Sequence, residues 1–232
     1  MGTEREDFMS YILRQNGEEG MTRGEIVENS NVLIIAGSET TATQLSGTTF
    51  QLLTNSEVYN KLVREIRTAF TSEEEITLVR MNELKYLRAV FEEGFRMYPP
   101  VPVGLPRTVC QGGEWIQGYY IPQDTGVSVP QWSAYQSESN WLEPEKFVPE
   151  RWLGDVRFEH DNRDVLQPFS YGPRNCIGKS LAYAEMRLIL TRLLWKFDLE
   201  MMDESKSWAK QKIFTLWDKK ELRVKLQEVE RV

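Results

Sequence analysis

The chain of 232 residues is poor in the residues that most often announce a function. It has two cysteines, Cys110 and Cys176, so no disulfide framework can be built, although a single bridge between them stays open. It has one histidine, His160, which makes a zinc centre with the usual four protein ligands implausible and leaves His160 as a loop residue. There is no basic excess. The net charge is −7, and no stripe of Lys and Arg answers to a phosphate backbone, which argues against nucleic acid as a partner. The longest unbroken aliphatic run, Val32 to Ala36, falls far short of the roughly 20 residues that span a bilayer. The start, Met1-Gly-Thr-Glu-Arg-Glu-Asp, has no apolar h-region, so neither a signal peptide nor a membrane segment is expected. Repeats, low complexity and flexible linkers are also missing. With 41% hydrophobic and 27% charged residues, what remains is an ordinary globular composition.

Helical patterns dominate what is present. Phe8, Met9, Tyr11, Ile12 and Leu13 suggest one short helix. Thr22-x-x-Glu25 has the form of a capping box, and a long proline-free segment follows it to residue 54. At about 1.5 Å per residue such a helix would be roughly 45 Å long. Val32-Leu33-Ile34-Ile35-Ala36 is apolar all round, which predicts a central buried helix. Asn55-Ser56 is a cap pattern before a helix carrying Val58, Leu62, Ile66, Ala69 and Phe70. Ser72 to Glu75 reads as an acidic turn. Asn82 is the expected cap of a helix from Glu83 to Met97, stopped by Pro99-Pro100, so that 82–98 forms one unit.

Between 101 and 130 the pattern changes to short strands, at Arg107–Cys110, Glu114–Ile116 and Gly126–Pro130. Near the end, Leu222 to Leu226 alternates with period two, as a strand does. The expected class is mainly α with a small β region.

The densest stretch is Pro168-Phe169-Ser170-Tyr171-Gly172-Pro173-Arg174-Asn175-Cys176-Ile177-Gly178-Lys179. An apolar helix should follow it from Leu181 to Phe197, with Ala182, Met186, Ile189, Leu193 and Phe197 as its buried stripe and Glu185 structural. Cys176 then lies just ahead of a helix N-terminus, where the dipole favours a thiolate. Arg174 adds a positive charge, and Phe169 offers an apolar wall. A lone cysteine would most simply be a buried one. Five fixed residues in register argue otherwise.

Phe169-x-x-Gly172-x-Arg174-x-Cys176-x-Gly178 resembles the haem-binding signature of the cytochrome P450 family at every fixed position. That resemblance implies haem b as cofactor, with Cys176 as the axial thiolate ligand of its iron. Three further stretches fit the same family. Ala36-Gly37-Ser38-Glu39-Thr40-Thr41 puts glycine and hydroxyls inside a helix, where they are locally unfavourable. It resembles the family's oxygen-binding stretch, with Glu39 and Thr40 as the acid–alcohol pair that delivers protons. Glu93-x-x-Arg96 alone is an ordinary helical ion pair, worth about 0.2–0.5 kcal/mol. Together with Arg151 of Phe147-Val148-Pro149-Glu150-Arg151-Trp152 it resembles the family's Glu–Arg–Arg network, which is structural support for the cofactor pocket. Arg107 matches the arginine that reaches a haem propionate, and Val101 to Leu105 the segment that passes over the distal face and touches substrate.

Family members are about twice this long, so the resemblance implies the C-terminal haem-binding half of the fold, with the N-terminal half absent and 1–232 a partial domain. The wording of the motifs is similar to that of filamentous-fungal enzymes of secondary metabolism. The implied activity is a haem-thiolate monooxygenase that oxidises a small apolar substrate with O2 and electrons from an NADPH–cytochrome P450 reductase. Retention of Thr40 favours oxygen activation over isomerase or dehydratase chemistry on this fold. Endoplasmic-reticulum attachment is expected for a full-length relative, through an N-terminal anchor. The alternative is a truncated, inactive remnant or an incomplete gene model.

Overall fold

The computed structural model describes Ser10 and residues 20–230; the helix expected around Phe8 to Leu13 lies outside the described residues. The chain divides at Glu39/Thr40, inside its longest helix, into two units.

That helix, α1, runs Arg23–Thr54. Its start is a complete capping box: Thr22 donates its N–H to Glu25 Oε2 at 2.7 Å, and Glu25 N–H reaches Thr22 Oγ1 at 3.3 Å. In the first unit the helix has its apolar run turned to solvent. Val32, Leu33, Ile34 and Ile35 are 48–67% exposed, against the buried central helix that the run predicts. Local hydrophobicity says that a surface wants cover; it does not say that the described residues supply it.

In the second unit, the rest of α1 buries Gln44, Phe50 and Leu52 along with the small residues Thr41, Thr43, Gly47 and Thr48. A Cβ at Gly94 would stand 2.5 Å from Thr48 Oγ1, so only glycine permits the approach of α4 to α1 there. Helix α2, Ser56–Ala69, buries Val58, Leu62 and Ile66, one stripe at i, i+4, i+8. Asn55 precedes it but does not cap it, because its side chain donates back to Gln51 O at 2.8 Å. A short helix α3, Leu78–Met81, is capped by Thr77. Helix α4 then runs Lys85–Met97. The cap expected from Asn82 is supplied from outside the local sequence: Glu65 on α2 accepts the N–H groups of Tyr86 and Leu87, both at 2.8 Å. A carboxylate at a helix N-terminus meets both the free donors and the dipole, so this long-range cap replaces the local one.

The β region is small. Strand β1, Arg107–Thr108, pairs antiparallel with β4, Gly126–Val127. Strand β2, Glu114–Ile116, pairs with β3, Tyr119–Ile121, a strand the sequence pattern does not single out. Gln117 and Gly118 join them, both with positive φ, the backbone of a two-residue hairpin turn. Helix α5 is short, Gln131–Tyr135.

Helix α6, Lys179–Lys196, carries the chain away from the cysteine loop, and β5, Phe197–Met201, pairs antiparallel with β6, Val224–Glu228. The buried stripe of α6 is Met186, Leu190 and Leu194 with Thr191, whereas Ile189 is 49% exposed. Ala182, Leu193 and Phe197 of the sequence pattern still pack against the core, but the buried centre of the stripe is shifted by one residue: both settings have helical spacing, and the packing of α2 and α3 against α6 decides between them. Glu185 faces solvent. A second aromatic cluster, Phe50, Tyr98, Trp208 and Trp217, ties the C-terminal segment to the ends of α1 and α4.

Candidate haem-thiolate site

The loop before α6 is built by its backbone. Cys176 N–H donates to Phe169 O at 2.8 Å, Asn175 N–H to Gly172 O at 3.0 Å and Ser170 N–H to Gln167 O at 2.9 Å. Gly172 takes φ +82°, a conformation that a side chain would strain. From Tyr171 to Ile177 every residue is exposed, and the Cys176 thiol is free, as is that of Cys110. Arg174 is exposed beside it. The helix N-cap is Gly178, two residues past the cysteine, and a Cβ on Gly178 would lie 3.8 Å from Cys176 Sγ.

One side chain of the loop turns inward. Phe169 packs edge-on to Phe95 of α4 at 5.1 Å between ring centres and against Tyr183 of α6 at 5.2 Å, with Lys179 Nζ 5.7 Å above its ring. Phe169 therefore anchors the loop to the core, in addition to any wall it offers outside. Tyr183 donates its hydroxyl to Glu92 Oε1 at 2.9 Å. Desolvation pushes the Glu92 carboxyl above its ordinary range, opposed by the Tyr183 hydrogen bond and by Arg88, Lys179 and Arg187. Desolvation likewise raises the Tyr183 phenol, which stays protonated and a donor.

Arg107 ties the β region to the same loop, donating through Nη2 to Ser170 Oγ at 3.2 Å. A groove of about 980 Å³ lies alongside, lined among others by Leu105, Arg107, Val127, Val129, Ser170 and Tyr171.

Behind the loop is a buried charge cluster. Glu93, Arg96 and Arg151 are each 0% exposed. Glu93 Oε1 accepts from Arg96 Nη2 at 2.7 Å, Arg151 Nε at 3.1 Å and Val148 N at 2.9 Å; Oε2 accepts from Arg96 Nε at 3.0 Å and Trp152 Nε1 at 2.9 Å. Arg96 spends its remaining donors on the carbonyls of Tyr135, Pro144 and Lys146. Sequence reasoning misses the fourth charge, Asp161. It bonds Arg151 Nη1 through Oδ2 and accepts Leu142 N–H at 2.8 Å through Oδ1. Two carboxylates against two guanidiniums leave no net charge in the interior, the condition under which buried ions are tolerated. An odd count was the available signal: Glu93 with Arg96 and Arg151 leaves one buried positive charge unanswered. Trp152, next to Arg151 in the sequence, is the other unforeseen member.

Helix α1 passes through Gly37-Ser38-Glu39-Thr40-Thr41 without a break. Ser38 Oγ bonds Ile34 O at 2.8 Å, the competition for carbonyls that hydroxyls bring to a helix. Glu39 is exposed and Thr40 half-buried.

The comparison with known proteins follows the same residues. The family model for cytochrome P450 matches residues 2–226. The chain belongs to the cytochrome P450 family. It is 54% identical to cytochrome P450 monooxygenase aclL of Aspergillus oryzae, over 97% of this chain and 46% of that protein. It is 53% identical to cytochrome P450 monooxygenase astA of Talaromyces wortmannii, over 96% of this chain and 45% of the relative. To the trichothecene C-4 hydroxylase of Trichoderma arundinaceum it is 48% identical, over 96% and 46%. The chain thus spans a little under half the length of the P450 relatives it matches.

The residues fit the family's haem. A free exposed thiol, two guanidiniums and a glycine-bracketed loop with open space above Gly172 are the donor set and the clearance that such a macrocycle needs.

Proposed function

We propose that this chain is the haem-thiolate part of a fungal monooxygenase that oxidises a small apolar metabolite. The observation that carries the reading is the Cys176 loop: the thiol is free and exposed, while the backbone behind it is fixed by three hydrogen bonds and by the inward Phe169. Cys176 Sγ would ligate the haem iron, and Arg107 and Arg174 would pair with the propionates. When bound, the haem supplies the redox centre at which dioxygen is activated, with electrons from an NADPH-dependent reductase.

The chain's own residues hold and orient. The Glu93–Arg96–Arg151–Asp161 cluster fixes α4 relative to the segment that precedes the cysteine loop. Its value is geometric, because burying charges costs about as much as pairing them returns. Glu39 and Thr40, consecutive in α1, hold a carboxylate and a hydroxyl for proton delivery through Thr40 Oγ1. Leu105 lines the same groove as Arg107, which supports contact of the Val101–Leu105 segment with an apolar substrate. No helix among the described residues is long and apolar enough to cross a membrane. Attachment to the endoplasmic reticulum is proposed for a full-length relative, through an N-terminal anchor.

The test is a reduced carbon-monoxide difference spectrum of the 232-residue chain with haem supplied. A Soret band of the thiolate-ligated type, lost in Cys176→Ser, is the expected result. Soluble folded protein without that band would leave the inactive-remnant reading in its place.

A further inference from the structure

Outside the residues already given a role, the most connected group near the cysteine is the contact between α4 and α6 at Glu92 and Tyr183. We propose that Tyr183 and Glu92 are positioning residues for Cys176, acting through Phe169.

The geometry is a chain of four residues, Glu92, Tyr183, Phe169 and Cys176, joined by three contacts. The Tyr183 hydroxyl donates to Glu92 Oε1 at 2.9 Å, which pins the tip of the ring and so the direction of its long axis. That ring lies 5.2 Å from Phe169 and 5.7 Å from Phe95, completing a trio in which Phe169 touches both neighbours. The Phe169 carbonyl accepts the Cys176 N–H at 2.8 Å. Because the other side chains from Tyr171 to Ile177 are exposed, Phe169 is the loop's principal grip on the core. Arg187 lies 5.1 Å over the Tyr183 ring and donates to Asn82 Oδ1 at 2.7 Å. Tyr183 is thus packed against Arg187, Phe169 and Phe95, and the one polar atom of its side chain is spent on Glu92.

A tyrosine here does what a phenylalanine could not. The ring alone contributes packing; the hydroxyl, pinned at its tip, stops the side chain swinging to another rotamer, and a ring held in place gives Phe169 one seat instead of several. The consequence is local. Freeing the tyrosine should not unfold the core, whose stripes on α2, α4 and α6 do not depend on it, but it should let the cysteine loop open more often.

The experiment measures amide hydrogen exchange of Cys176 in the haem-free 232-residue chain, carrying Cys110→Ser so that one thiol remains. Tyr183→Phe and Glu92→Leu should each speed exchange at Cys176 about five- to tenfold, the scale of one lost hydrogen bond. Glu92→Gln, whose amide oxygen still accepts the phenol, should stay within about twofold of wild type. Glu185→Gln, on the exposed face of the same helix, is the control and should change nothing. Unchanged exchange in Tyr183→Phe, or a Cys176 amide unprotected in the wild type, overturns the proposal. Should Glu92→Leu fail to fold, Tyr183→Phe decides alone. A second readout rests on the haem-thiolate reading: with haem bound, Tyr183→Phe should lower the share of thiolate-type Soret absorbance at equal haem content, and Glu92→Gln should restore it. If the wild-type chain takes up no haem, that reading fails, and the exchange result still decides this one.

Discussion

Arg107 and Ser170 lie 63 residues apart in the chain, and the arginine Nη2 donates to the serine Oγ at 3.2 Å. The contact joins β1 to the loop of Cys176, so the guanidinium proposed for a propionate is aimed by the same loop that carries the proposed iron ligand. Both partners are near the surface, and an exposed hydrogen bond of this kind is worth little to folding, about 0–1 kcal/mol.

Arg107→Ala should accordingly leave the thermal midpoint almost unchanged and weaken haem binding about tenfold, the scale of one charge-assisted hydrogen bond. Arg107→Lys should recover part of the loss, because an ammonium keeps the charge without the planar fork. Haem titration beside a melting curve separates the two effects. A large drop in stability with unchanged affinity would count against the role given to Arg107.

Asp161 makes the opposite prediction. It is buried, it bonds Arg151, and it accepts a backbone N–H. Asp161→Ala leaves a guanidinium inside the protein with one carboxylate to share, and should cost about 3–5 kcal/mol in urea unfolding. Asp161 and Glu93 share Arg151, so the double variant with Glu93→Gln should cost clearly less than the sum of the singles. Additive losses would mean that the four charges do not act as one cluster.

What could be read in the sequence follows the range of the interaction. The capping box at Thr22 and Glu25 is local, and it forms as its spacing requires. Glu65 capping α4 is not local, and no pattern near Asn82 could reveal it. The Cys176 loop sets two glycines and two cations around one cysteine in a tight turn, a local pattern that is legible from twelve residues. The apolar run at Val32–Ile35 is equally legible, and misleading: hydrophobicity reports a demand for burial, and among the described residues that demand is not met. On α6 the periodicity was present in two settings one residue apart, and only the neighbours could choose between them.

The C-terminal segment gives a test of packing far from the cysteine. Trp217 stacks on Tyr98 with ring centres 4.4 Å apart and planes at 15°, and donates its indole N–H to Pro99 O at 2.7 Å. Trp217→Ala should lose about 3–5 kcal/mol, whereas Trp217→Phe, which keeps a ring but not the donor, should lose about 1–2. Equal losses for both would mean that the hydrogen bond, not the stack, holds the segment to the end of α4.

Glu92 predicts a dependence on pH with a definite sign. Desolvation holds its folded-state carboxyl above the ordinary glutamate value of about 4.3, against the Tyr183 hydrogen bond and the charges of Arg88, Lys179 and Arg187. Below the ordinary value the folded and unfolded chains are both protonated at this position, and the contribution to stability is fully present. As the pH rises, the unfolded chain loses its proton first, so the contribution declines through the window that ends at the raised folded value, and is constant beyond it. The slope from one group cannot exceed about 1.4 kcal/mol per pH unit. Glu92→Gln cannot titrate, keeps an acceptor for Tyr183, and should therefore gain on the wild type as the pH climbs from about 4 toward 7. Urea unfolding of the two proteins across that range reads the difference directly. A difference that shrinks with rising pH would mean that the three cations outweigh burial and that the Glu92 carboxyl is held below, not above, its ordinary range.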